Sequence, residues 1–145
     1  MKKIATISLA VLLSAAGIQS CKDLGTAVPA PTSPPAPFVP GPQSFASDIH
    51  PILLAHCATS GCHTGSTPTS GFNQSTYSGV RAGGVNYGTN VIIPGDSTNS
   101  GIIKELRGTG IVGRMPFGGQ FASTGLPDTM IVKIGLWIIQ GAQNN

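Results

Sequence analysis

Cys57-Ala58-Thr59-Ser60-Gly61-Cys62-His63 sets two thiols five positions apart, with an imidazole directly after the second. Thiols can add to an unsaturated carbon, oxidise to a disulfide or bind a soft metal, and imidazole is a general metal ligand. Far along the chain, Arg114-Met115-Pro116-Phe117-Gly118-Gly119 offers a thioether, a soft and neutral donor, in a loop stiffened by proline. Acid–base or nucleophilic catalysis would instead need an acid, base or nucleophile with a positioned partner. Asp48, Asp96, Glu105 and Asp128 are scattered, with no such pairing in the sequence. The chemistry on offer is holding a group, not proton transfer.

Two cysteines followed at once by histidine resemble the covalent attachment site of a c-type haem, whose usual spacing is C-x-x-C-H. The thiols would bond the porphyrin vinyl groups, and His63 would hold the iron from one side. Here four residues separate the thiols, a turn of about 140° net around a continuous helix, so they would point to nearly opposite sides. The segment reaches one porphyrin edge only by leaving helical geometry. Thr59, Ser60 and Gly61 are poor helix formers and permit a bulged loop. A second ligand would come from the far side, and Met115 is the best candidate, because a thioether raises the reduction potential. His50 is the alternative distal ligand. His56 would serve only by displacing His63, and otherwise packs on its helix or meets solvent. Arg114 is a candidate partner for a haem propionate, while Trp137 and Phe117 read as core or pocket-wall residues.

The elements that must position these groups are short helices. Phe45, Ile49, Ile52, Leu53 and His56 recur at three- and four-residue spacing, which predicts a helix delivering Cys57 at its end. Ser47 or Asp48 would cap it, and Pro51 fits only its first turn. Residues 75–82 predict a second helix ended by Gly83 and Gly84. A third, 101–106, would be capped by Asn99 or Ser100 and ended by Gly108. The last has Pro127 at its first position and Asp128 near the positive end of its dipole. Met130, Ile134, Trp137, Ile138 and Gly141 follow its period, which places Met130 in the core. Gly135 inside it points to close approach by another helix. Val91-Ile92-Ile93 has strand character without an obvious partner. The expected fold is all-α, three to five helices with long loops in residues 43–145, a span sufficient for one small core.

The N-terminal part reads differently. Met1-Lys2-Lys3 precedes an apolar run from Ile4 to Ile18, too short to span a membrane. Ile18-Gln19-Ser20-Cys21 resembles a bacterial lipobox, which implies cleavage after residues 1–20, acylation of Cys21 and a lipid-anchored, extracytoplasmic protein. Losing Lys2 and Lys3 would lower the formal charge from +3 to +1. Such a surface carries no electrostatic footprint for nucleic acid. Residues 21–42 are rich in proline, alanine, serine and threonine and read as a semi-rigid tether.

From the attachment motif through the Met-Pro loop to Trp137-Ile138-Ile139-Gln140-Gly141-Ala142, residues 43–145 resemble single-haem c-type cytochromes carried on bacterial lipoproteins. The resemblance implies one covalent haem c, Cys57 and Cys62 as its attachment points and His63 and Met115 as axial ligands. It implies that the first and last helices cross near Ile49 and Gly135, and that Pro94 borders the proximal side. It implies an electron carrier and not an enzyme, since iron held on both sides has no open position. Its partner would be a redox protein or a membrane respiratory complex. Three alternatives stay open on the residues alone. One is a small haem enzyme, a peroxidase or sulfur-compound oxidoreductase, requiring Met115 off the iron. Another is a haem-free surface binding module closed by a Cys57–Cys62 disulfide, which export would permit. Structural zinc is the third, disfavoured because His56-Cys57 and Cys62-His63 are neighbours whose side chains diverge.

Overall fold

The structure is a computed structural model that describes residues 40–145. The expected leader 1–20, Cys21 and most of the tether 21–42 lie outside the described residues. The chain enters its first helix at Ser44. The Ser44 hydroxyl accepts from the Ser47 N–H (3.3 Å), and the Asp48 carboxylate accepts from the Ser44 N–H (3.0 Å). Ser44, and not Ser47 or Asp48, is therefore the cap, and Asp48 closes it reciprocally in the manner of a capping box. A wide turn, Phe45–Ile49, leads into α1, His50–His56. Pro51 has no N–H to donate and sits just after this wider winding, where the missing bond is accommodated. Phe45, Ile49 and Leu53 form the buried face, as their spacing requires.

Three further helices follow: α2, Tyr77–Ala82; α3, Gly101–Leu106; and α4, Asp128–Ile139. Helix α2 starts two residues later than expected because the Thr76 hydroxyl caps it, accepting from the Gly79 N–H at 3.1 Å. It ends at Gly83, whose φ of +75° favours glycine. Ser100 stands at the cap position of α3 but uses its hydroxyl elsewhere, donating to the Asp96 carbonyl (2.8 Å) and accepting from the Ile93 N–H (2.9 Å). Pro127 is the cap residue of α4 and not its first helical residue. Val91-Ile92-Ile93 runs from a short turn, Thr89–Val91, into extended chain, and no strand forms among the described residues. Arg81 occupies the Ile92 carbonyl there (3.0 Å).

The described residues thus make an all-α unit of four helices, with one continuous core. Trp137, Ile134, Ile138 and Ile131 of α4 meet Phe45, Ile49 and Leu53 on one side and Ile102, Ile103 and Leu106 of α3 on the other. Phe45 and Trp137 rings lie 5.5 Å apart, and Lys133 reaches Asp48 at 3.5 Å, so the first and last helical segments do meet. Gly135 has another role from the one expected. Its open side faces Ser97 and Ile103, where an added Cβ would find ordinary contacts at 3.8 and 4.0 Å. It abuts α3 and its leading loop without forcing a close approach. The chain end locks onto the first helical turn, with the Ser44 hydroxyl and the Ala46 N–H both donating to the Asn145 carbonyl (2.7 and 3.0 Å). No helix among the described residues is long and apolar enough to cross a membrane.

Candidate functional site

The C-terminal end of α1 departs from helical geometry at the first cysteine. The Leu53 carbonyl accepts from both Cys57 (2.9 Å) and Ala58 (2.7 Å), and then the chain turns back. Cys62 N–H donates to the Thr59 carbonyl (3.0 Å), and His63 N–H to the Cys57 carbonyl (3.1 Å). That last bond closes a loop whose two ends are the first cysteine and the histidine. Gly61 makes the reversal possible: its φ is +78°, and the space around it is open, so backbone freedom is what the position requires. The two extra residues are therefore absorbed as a bulge, and both cysteines line one cavity.

The cavity measures about 350 Å³, inside the range of about 300–1,000 Å³ usual for cofactor and ligand sites. Cys57, Cys62, His63 and Met115 all contribute to its wall. Phe72, Val91, Ile102 and Leu106 supply buried apolar surface, and the half-buried Pro116 with the exposed Phe117 and Gly118 forms part of the rim. His56 also touches the cavity, with its ring edge-on to Phe121 at 5.0 Å. The two cysteines carry free thiols. Burial, reinforced by neighbouring Cys62, pushes the Cys57 thiol up to about 12, so it stays protonated at neutral pH.

His63 is oriented by its own neighbours. Nδ1 lies 3.1 Å from the Phe72 carbonyl, which only accepts, so Nδ1 must carry the proton. The lone pair is left on Nε2, the arrangement in which a metal-binding imidazole is held by its second nitrogen. Phe72 also packs edge-on against the ring, 5.5 Å between centroids, which restricts its rotation. A backbone bond from Gln74 N–H to the His63 carbonyl (2.8 Å) ties the two strips of chain together.

The remaining sequence candidates fall elsewhere. His50 does not line the cavity: it stacks on Phe45 at 5.2 Å, and its Nε2 lies 2.9 Å from the Ser75 carbonyl. Arg114 is exposed, and its guanidinium lies against Gly125. Pro94 is exposed and Trp137 sits in the core, neither on the cavity wall. Met130 is half-buried against the core. Among the described residues no group of three or more His, Cys, Asp or Glu side chains converges on a point.

Three wall residues were not foreseen. Glu105 is buried, 8 % exposed, and Tyr87 donates its hydroxyl to it at 2.7 Å. Gln74 is 4 % exposed, and its Oε1 has no hydrogen-bond partner. A buried amide oxygen without a partner costs free energy, and this one belongs to a residue of the cavity wall. The donor set fits a covalently attached haem: two free thiols, an imidazole held by its Nδ1, a thioether and an apolar lining. Comparison with protein-family models, curated proteins and solved structures finds no match to this chain.

Proposed function

We propose that residues 43–145 form a monohaem c-type cytochrome domain that passes single electrons outside the cytoplasm, anchored through Cys21. One observation carries this reading. Met115, far along the chain, joins Cys57, Cys62 and His63 of the attachment segment on the wall of a single, largely apolar cavity. Haem, when bound, supplies a one-electron iron couple. Cys57 and Cys62 would hold it through thioether bonds, with His63 and Met115 as the axial ligands.

The chain's own contributions follow from the site. The Phe72 carbonyl keeps a proton of His63 on Nδ1, so Nε2 is the nitrogen whose lone pair would hold the iron. Met115 is half-buried and packed against the core, with its N–H bonded to the Glu105 carbonyl at 3.0 Å. Val91, Ile102, Leu106 and Phe72 exclude water from the interior, and a low-dielectric wall disfavours added charge. Phe117, 61 % exposed, and Val112, 43 % exposed, leave an apolar rim where a redox protein or membrane complex would approach. With both axial donors supplied by the protein, electron transfer is favoured over substrate chemistry.

The test is the visible spectrum of the mature protein produced in a host that exports and attaches haem. A sharp reduced c-type band that survives acid–organic extraction is expected, together with a weak sulfur-to-iron band in the oxidised form that Met115→Ala removes. No haem absorbance despite competent maturation would overturn the reading. It would leave Cys57 and Cys62 to a disulfide or to some other ligand.

A further inference from the structure

Residues 110–115, the segment that ends on Met115, wrap around one side chain. Glu105 Oε1 accepts from the N–H groups of Ile111 (2.8 Å) and Val112 (3.1 Å), and Oε2 from those of Gly113 (3.1 Å) and Val112 (3.3 Å). Tyr87 donates to the same carboxylate at 2.7 Å, and its hydroxyl oxygen lies 3.0 Å from the Ile111 N–H. The backbone of Glu105 adds a further tie, since its carbonyl accepts from the Met115 N–H. Successive N–H groups turned inward make an anion nest, and here the anion is built in. Two glycines are shaped to it. A Cβ at Gly110 would collide with the Glu105 carboxylate, and one at Gly101 would collide with the Tyr87 ring. Glu105 is the chain's only glutamate, buried in a protein with few charges.

We propose that Glu105, supported by Tyr87, is the positioning residue that holds Met115 against the haem iron. This rests on the reading of Met115 as an axial ligand. Residues 110–113 have little else to hold them: Ile111 and Val112 are exposed, Ile111 to 70 %, and their N–H groups bond only to the Glu105 carboxylate and the Tyr87 hydroxyl. Without the carboxylate the inward N–H groups have no partner, and the loop rearranges to find water. Met115 then leaves its place on the wall for part of the time, and an external ligand can compete for the iron.

The experiment compares the wild type with Glu105→Gln and Tyr87→Phe, all haem-loaded, by two readings. One is the sulfur-to-iron band of the oxidised form; the other is the affinity of the ferric form for imidazole. Gln keeps the shape but loses the charge and turns an NH2 toward N–H donors, so the band weakens and imidazole binds about tenfold tighter or more. Tyr87→Phe removes a single partner, so an affinity gain of about threefold is expected. Haem content and the reduced c-type band stay unchanged in both, which separates loss of position from loss of fold. A wild type with the sulfur band, and variants with the same band and imidazole affinity, would overturn the role of Glu105 alone. If Glu105→Gln does not fold, Tyr87→Phe decides by the same two readings. A haem-loaded wild type lacking the sulfur band would overturn the axial assignment of Met115 beneath it.

Discussion

Cys57 offers a quantitative test that needs no haem. Its thiol, packed against the core beside Cys62, is pushed up to about 12 by burial and by that neighbour. At pH 8 about 1 in 10,000 such thiols is ionised, against about a quarter for a free cysteine of pKa about 8.5. The scarcer thiolate is also the more basic and more nucleophilic. With a Brønsted slope of about 0.4–0.5 this returns roughly 1.5 of the 3.4 decades lost. Reaction of Cys57 with a small disulfide reagent should therefore run about 50- to 100-fold slower than that of free cysteine. The assay uses the chain produced without haem maturation, quenched at intervals and read by peptide mass spectrometry. In urea, where burial is removed, Cys57 should recover the ordinary rate.

The pH dependence carries the sign. The folded state favours the neutral thiol, while the thiol of the unfolded chain ionises near 9.0. Below about pH 9 this contribution to stability is complete. From there to about pH 12 the unfolded state holds fewer protons, and up to about 4 kcal/mol is lost as pH rises. The reaction rate of Cys57 should climb about tenfold per pH unit through that window, where a free thiol has levelled off. A Cys57 that reacts within about threefold of free cysteine at pH 8, or that is recovered in a disulfide with Cys62, would refute the buried-thiol geometry.

Other consequences are checked by urea denaturation followed by far-UV ellipticity. Gly135→Ala should stabilise the domain by up to about 1 kcal/mol, because its Cβ meets only ordinary contacts and alanine favours helix. Thr76→Ala should cost about 1 kcal/mol by stripping the N-cap of α2. Gly101→Ala should cost roughly 1–3 kcal/mol through overpacking against Tyr87, with a red-edge change in tyrosine absorbance as the hydroxyl leaves Glu105.

The helices were legible where they carry a buried stripe. Phe45, Ile49 and Leu53 announced the first, and Ile134, Trp137 and Ile138 the last, because packing and periodicity make the same demand there. The caps were less so. Ser44 lies ahead of the apolar pattern, and Ser47 and Asp48 look equally suitable until the chain's return from Asn145 shows where the helix begins. Gly135 misled for a related reason: a glycine in a helix marks close approach only when something stands opposite, and here Ser97 and Ile103 stand back. Local sequence holds no record of what lies across the gap.

The site shows the same division at finer scale. Cys57, Cys62, His63 and Met115 could be chosen by chemical type, because few residues offer a thiol, an imidazole or a thioether. Glu105 could not. Read along the chain it is one acidic residue among several, and its partners are backbone N–H groups, which every residue but proline possesses. What distinguishes it is tertiary: burial, the Tyr87 hydroxyl arriving from another segment, and Gly110 leaving room for the carboxylate. Gln74 is similar, since an unpartnered amide oxygen becomes informative only once it is known to be buried on a cavity wall. The groups that touch a ligand belong to rare chemical types, whereas the groups that aim them are common types in uncommon surroundings. The C-x4-C spacing joins the two: its chemistry is plain in the sequence, and its feasibility depends on the His63-to-Cys57 backbone bond that folds the extra residues out of the way.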